Sequence, residues 1–275
     1  MKKLYVSDLD GTLLNHDSVV SERSARLLGE LNDDGVLFTV ATARTPATVD
    51  PLMRSSRLRL PAIVMTGASM WDMSRRRYIS PSLLERGDAD TAVDTCLGHG
   101  LHPFVYIMRD DGLLDVLHTG PMSAQERRFV DQRRNLPLKK FYLDATDHDL
   151  VGVDNRILMF AMGPVDVVGR VADMLRGSTR CSLSVYPDIF HPELGNLEIL
   201  APGVSKAAAV RRLADMVGAD TVTVFGDNLN DLPMFEMADR AIAVANAEPS
   251  VRAAATDVIG PNTADSVARF IALDR

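Results

Sequence analysis

Short, continuous apolar runs alternate with amphipathic stretches at both ends of this chain, and few folds accommodate that alternation. Near the N-terminus the runs are residues 4–6, 36–41 and 63–65. Between them, residues 21–32 place Ala25, Leu27, Leu28 and Leu31 at helical spacing, and residues 46–54 form a second helical stretch. The last third repeats the pattern, with apolar runs at 197–200, 222–225 and 241–244 and helical stretches at 205–217, 231–238 and 264–273. Strands that are apolar on both faces and alternate with helices belong to a parallel sheet covered on both sides. The middle of the chain breaks the pattern. A helical stretch at 83–97 precedes two strands, 104–108 and 113–117, around Arg109-Asp110-Asp111-Gly112. Asp-Gly between apolar runs marks a hairpin. Helix (123–134), strand (157–162), helix (165–175) and strand (183–186) follow, an order that predicts an antiparallel or mixed sheet with helices on one face. The reading is an α/β fold: a doubly wound, Rossmann-like parallel-sheet core from residues 1–80 and 193–275, interrupted by an inserted α+β domain over 81–192.

Bulk properties narrow the function. The chain has 275 residues, room for two cores, and a net charge of -7. That charge argues against nucleic acid or an acidic membrane as the main partner, since both are bound through clustered Lys and Arg. Arg75-Arg76-Arg77 and Lys139-Lys140 read as solvated basic faces. Two cysteines, Cys96 and Cys181, cannot form a metal cluster alone and read as reduced core residues. Met1-Lys2-Lys3 leads directly into Leu4-Tyr5-Val6, too short for a signal peptide or a membrane span. A cytoplasmic enzyme fits these limits, and no feature of the sequence sets an oligomeric state.

Four segments carry chemistry. Ser7-Asp8-Leu9-Asp10-Gly11-Thr12 ends the first strand, where ligands of open α/β sheets collect. Two carboxylates two positions apart repel unless a cation or proton compensates, and Mg²⁺ takes oxygen ligands of this kind. Val40-Ala41-Thr42-Ala43-Arg44 closes a second strand, where Thr42 and the backbone N–H groups before the next helix suit a phosphate. Gly203-Val204-Ser205-Lys206 opens an Ala-rich helix, and a Lys at a helix N-terminus is disfavoured by the macrodipole unless an anion faces it. Val224-Phe225-Gly226-Asp227-Asn228-Leu229-Asn230-Asp231 stops a strand in a loop of two carboxylates and two amides, with Asp231 placed to cap the following helix. Each has a plain alternative: a solvated strand-end turn, a cap, a surface Lys, a polar loop. Three strand ends with polar chemistry, plus an acidic pair near each end of the chain, favour a single site.

These motifs, in this order, resemble those of the haloacid dehalogenase superfamily. The large insertion resembles the Cof-type sugar-phosphatase branch with a type IIB cap. The resemblance implies that Asp8 is the nucleophile and a Mg²⁺ ligand, and that Asp10 is the general acid/base and binds the metal through its carbonyl. It implies that Asp227 is the third protein ligand, with Asp231 supporting the metal shell. Leu9 through its backbone, Thr42, the Ala43 N–H, Lys206 and Asn230 would hold the phosphate. Two positions depart from the family pattern: Ala43 stands where Gly is usual, and Thr66 where Asn is usual. The implied activity is Mg²⁺-dependent hydrolysis of a small phosphorylated metabolite, such as a sugar phosphate, through an aspartyl-phosphate. A phosphomutase would use the same intermediate, and a phosphometabolite-binding protein would need neither Asp8 nor Asp10. In this architecture the cap closes over the site, so cap side chains would select the leaving group. Within Asp188-Ile189-Phe190-His191-Pro192-Glu193, His191 and Glu193 read as hinge or surface, and Trp71 reads as core packing.

Overall fold

The structure, a computed structural model, describes residues 1–188 and 191–275. The first strands are β1 (Lys3–Ser7), β2 (Leu37–Val40), β3 (Ala62–Val64), β4 (Ser69–Asp72) and β5 (Arg77–Ile79). The middle contributes β6 (Phe104–Met108), β7 (Leu114–Thr119), β8 (Lys139–Ala145), β9 (Arg156–Pro164), β10 (Ser182–Pro187) and β11 (Leu194–Leu200), and β12 (Thr221–Gly226), β13 (Arg240–Val244) and β14 (Asp257–Ile259) close the set. The chain divides into two compact units: Met1–Ser80 with Ser205–Arg275, and Pro81–Val204.

In the first unit the sheet runs β14-β13-β12-β1-β2, all parallel. A parallel bridge from Ala41 to Ile63 carries the pattern on to β3. The chain leaves β1 toward β2 and later returns through β12 on the other side, so the order reverses between β1 and β12. Ligand sites of open α/β sheets form at such a reversal, beyond the carboxyl ends of the strands. Strands β1 and β12 are almost wholly buried, with Leu4, Val6, Val224 and Phe225 inaccessible, as the continuous apolar runs predicted. Trp71 is fully buried, in agreement with a packing role. The β3-β4-β5 antiparallel meander was not read from the sequence; β4 and β5 meet around the Asp72–Arg77 turn.

The second unit is a six-stranded sheet in the order β10-β11-β9-β6-β7-β8, antiparallel except for the parallel β7–β8 pair. Alternation along β6 puts Val105 on one face and Phe104 on the other. Val105, Met159 and Ile199 pack in one core with Val93, Cys96, Val171 and Leu175 from helices Arg86–Gly98 and Val165–Ser178. Phe104 instead stacks with Phe129, which also meets Phe160. Both cysteines are free, and burial pushes the Cys96 thiol up to about 12.

Two expectations need correction here. The run 197–200 was read as the opening strand of the core's second part, yet β11 is hydrogen-bonded on both sides, to β9 and β10, within the second unit. A fully buried strand is apolar in either sheet, so its composition could not assign it. Lys139 is not a solvated basic residue: it lies in β8, 8% exposed, with its ammonium 5.4 Å from the Phe141 ring centroid. Burial, with Arg133 nearby, pushes this amine down to about 7. Within 188–193, Ile189 and Phe190 lie outside the described residues, Glu193 is exposed and His191 half-buried, with Nδ1 3.4 Å from Oε1, which agrees with a surface role.

Candidate active site

Four strand ends of the first unit deliver the polar residues. Asp8 follows β1 directly, and its N–H donates to the carbonyl of Phe225 in β12 (2.9 Å), so the two strand ends are clamped where both turn polar. The chain then makes a tight turn: Asp10 (φ -74°, ψ 119°) and Gly11 (φ 80°, ψ -12°) match the central residues of a type II turn, which calls for Gly at the second position. Any Cβ at Gly11 would also run into the Asp227 carboxylate. Thr12 is buried, and its hydroxyl donates to Asp227 Oδ1 (2.7 Å). Asn246, beyond β13, donates to the Gly11 carbonyl (2.7 Å) and fixes the turn from the far side.

Lys206 is the centre of the arrangement. Ser205 caps its helix (Lys206–Val217) by accepting from the Ala208 N–H. The ammonium of Lys206 donates to Asp8 Oδ1 (2.6 Å) and Asp231 Oδ1 (2.8 Å). Lys206 and Asp8 are 3% and 6% exposed, and Asp231 is inaccessible. The conflict between an ammonium and the helix N-terminus is therefore resolved by two carboxylates of the chain itself. Burial alone would lower the pKa of Lys206, but Asp231 and Asp8 outweigh it and raise it, so the ammonium stays charged. Asp231 does not cap helix Leu232–Met237 with its side chain, as the sequence suggested. Its Oδ2 reaches back to accept from the N–H groups of Asp227 (3.1 Å) and Asn228 (3.2 Å), which freezes the loop that carries Asp227.

Asp8, Asp227 and Asp231 each offer a carboxylate oxygen, all within 4.8 Å of one another. Burial, with Asp231 and Asp227 adding to it against Lys206, raises the Asp8 pKa well above the usual range. Burial likewise pushes Asp227 up to about 6, with Thr12 opposing and Asp231 adding. One ammonium thus faces three carboxylates, an excess of buried negative charge. Clustered hard oxygen donors with uncompensated charge fit a divalent cation such as Mg²⁺. The Asp10 carboxylate stands outside this cluster. Arg44 holds it by both oxygens, Nε donating to Oδ2 (2.8 Å) and Nη2 to Oδ1 (2.6 Å), with the Asp10 side chain 54% exposed.

Thr42 is buried at the end of the β2 segment, and its hydroxyl accepts from the Arg44 N–H (3.2 Å). Its carbonyl accepts from Thr66 N–H (3.0 Å), and the Arg44 carbonyl from Met65 N–H (3.0 Å). Leu9 is buried, Ala43 half-buried, and Asn230 exposed in the 3-10 turn Leu229–Asp231. Met65 and Thr66 have positive φ (49° and 54°), followed by Gly67 at 95°. At Gly67 a Cβ would strike the Ser205 carbonyl oxygen, so this glycine lets the Lys206 helix start against the β3 loop. Sequence reading missed Arg44, Thr12 and Asn246 as site residues. Arg44 and Asn246 had a usable signal: each follows the carboxyl end of a core strand.

Residues 5–271 match the profile of the haloacid dehalogenase-like hydrolases. The chain is 28% identical to the 5-amino-6-(5-phospho-D-ribitylamino)uracil phosphatase YwtE of Bacillus subtilis, over 98% of this chain and 96% of the relative. It is 26% identical to the pyridoxal phosphate phosphatase YbhA of Escherichia coli, over 96% of this chain and 95% of the relative. In fold it is similar to the HAD subclass IIB sugar phosphatase BT4131, with a TM-score of 0.76 at 18% identity, covering 100% of this chain and 99% of that one.

Proposed function

The chain belongs to the haloacid dehalogenase-like hydrolase family, and from that premise we propose that it is a Mg²⁺-dependent phosphatase of small phosphorylated metabolites, with Asp8 as nucleophile. The observation that carries the reading is Lys206, buried between Asp8 and Asp231 with Asp227 beside them. The named substrates of the two relatives, pyridoxal phosphate and an aminouracil ribityl phosphate, are both small phosphate monoesters, which supports that substrate class here. We assign Pro81–Val204 as the cap domain of this architecture.

Each residue has a defined task. Asp8 binds Lys206 through Oδ1, and among the described residues its Oδ2 accepts no hydrogen bond, which leaves this carboxylate an open oxygen. Lys206 holds the nucleophile in one orientation and offsets its repulsion from the anionic substrate. Thr42, Lys206, Asn230 and the N–H groups near Leu9 and Ala43 bind the phosphoryl oxygens. Asp8, Asp227 and the Asp10 carbonyl, with Asp231 behind them, would hold Mg²⁺, which neutralises charge on the phosphoryl group when bound. As the ester bond breaks, Asp10 gives its proton to the leaving alkoxide, and the phosphoryl group passes to Asp8. Asp10 then takes a proton from water, the water oxygen bonds to phosphorus, and Asp8 is released with inorganic phosphate. To reach the leaving group Asp10 must part from Arg44, and its exposure permits that rotation.

The test is a panel of phosphorylated metabolites assayed for free phosphate with Mg²⁺ and with excess chelator. Phosphate release that stops on chelation is expected. An isomeric phosphate ester in place of free phosphate would mean a mutase, and no turnover of any monoester by folded, Mg²⁺-loaded protein would end the reading.

A further inference from the structure

Residues 54–77 hold six arginines and one acidic residue, Asp72, in a chain whose net charge is -7. The run Arg75-Arg76-Arg77 was read as a solvated face. All three are exposed, in agreement with that reading, and Arg76 also lies with Arg54 and Arg57 around a cavity of about 400 Å³ in the first unit. This lies inside the range of about 300–1,000 Å³ typical of small-molecule pockets. Met53 and Leu58, both buried, and Met73 give the cavity an apolar wall.

The charges do not cancel inside it. Asp50, 4% exposed, is the acidic residue of the lining. Its Oδ2 accepts from Arg54 Nη2 (3.2 Å) and Arg76 Nη1 (2.8 Å), and its Oδ1 from Trp71 Nε1 (3.4 Å). One carboxylate thus serves two guanidinium groups and an indole, and a buried anion so fully engaged repels an incoming ligand little. Arg57 is oriented from outside: its Nε and Nη2 donate to Asp33 Oδ2 (3.1 and 2.6 Å). These contacts use one nitrogen each of Arg54 and Arg76 and two of Arg57, and every guanidinium carries five N–H donors. Guanidinium forks tethered by a carboxylate and left with spare donors suit the several oxygens of a phosphate. The apolar wall suits the carbon body that bears the phosphate.

We propose that this cavity is a second binding site, separate from the carboxylate cluster, for a small organic phosphate gripped by Arg54, Arg57 and Arg76. The site is placed to influence the first one. Asp50 and Met53 lie on helix Pro46–Met53, which begins just after Thr42-Ala43-Arg44.

Trp71 is the single tryptophan of the chain and is bonded to Asp50, so its emission reports the cavity. The full-length protein is titrated in EDTA with inorganic pyrophosphate, against sodium chloride of equal ionic strength. A saturable change in Trp71 emission is expected in the wild type and in Lys206→Ala, which lacks the catalytic ammonium. Arg54→Gln, whose side chain is mostly exposed, should weaken binding about tenfold, the worth of a charge-assisted hydrogen bond. Arg54→Gln combined with Arg57→Gln should abolish the change, with near-ultraviolet circular dichroism verifying that Trp71 remains packed. The proposal is overturned if the wild type shows no saturable change or if Arg54→Gln binds as the wild type does. It is also overturned if the change disappears in Lys206→Ala while its near-ultraviolet circular dichroism matches the wild type, which would place the anion at the catalytic cluster. None of these readouts depends on turnover, so the outcome is independent of the catalytic assignment.

Discussion

Asp8 and Asp10 stand two residues apart, yet one is buried and locked to a buried ammonium, and the other is exposed and held by a half-buried arginine that must release it. That contrast predicts a kinetic division. Asp8→Asn should form no phosphoenzyme with any substrate. Asp10→Asn should release a burst of nitrophenolate from nitrophenyl phosphate and then stall, since an activated leaving group needs no proton while the second step still needs a base. The stall should amount to about 10²–10⁴-fold, visible by rapid mixing; a burst from Asp8→Asn and none from Asp10→Asn would exchange the roles. Asp227 makes a prediction about pH. Its pKa is raised from an ordinary 3.8 to about 6. The folded protein therefore keeps a proton that the unfolded chain loses, and the resulting stability is present below pH 3.8 and lost as pH rises through about 6. Without metal, the melting temperature should fall over this window, by the equivalent of roughly 2–3 kcal/mol. Bound Mg²⁺ favours the ionised form, so the fall should flatten with Mg²⁺ in scanning fluorimetry, and identical profiles with and without it would contradict the metal assignment. Asp8, Lys206 and Asp227 were legible in the sequence because charge at a strand end or helix start is a local anomaly. The Arg44–Asp10 and Asn246–Gly11 contacts were not, because they join positions 34 and 235 residues apart, and no local pattern encodes such a meeting.

At the level of elements, the β3 loop sets where the Lys206 helix begins. Gly67 has a φ of 95° and lies against the Ser205 carbonyl. Gly67→Ala should push the helix start away and lower stability by about 2–4 kcal/mol, from left-handed strain plus overpacking. It should also weaken inorganic phosphate binding, and a variant unchanged in both would mean that the loop yields freely. Thr66 is a β-branched residue at φ 54°, a costly conformation that Asn tolerates. Thr66→Asn should therefore raise the melting temperature, by up to about 1 kcal/mol in stability. The core strands and their helices were legible because apolar runs and helical periodicity record burial directly. β8 was not, since Lys139-Lys140 at its start suggests solvent. β11 was assigned to the wrong sheet because burial on two faces is the same signal in either unit.

The whole molecule is two hydrophobic cores on one chain. Pro81–Val204 carries its own, from Val93, Val105, Met159, Val171 and Ile199, so this segment expressed alone should melt cooperatively; a featureless melt would show that its core depends on the rest of the chain. The first unit holds the candidate catalytic residues, and the proposed catalysis rests on one bond formed there, between Asp8 and phosphorus. Trapping it is the direct test. The enzyme is mixed with a substrate that it turns over, in Mg²⁺, quenched within the burst and reduced with borohydride, which converts an aspartyl-phosphate to homoserine. Peptide mass spectrometry should find homoserine at position 8 and nowhere else, and none in Asp8→Asn. Homoserine at another aspartate, or sustained turnover by Asp8→Asn, would contradict the account.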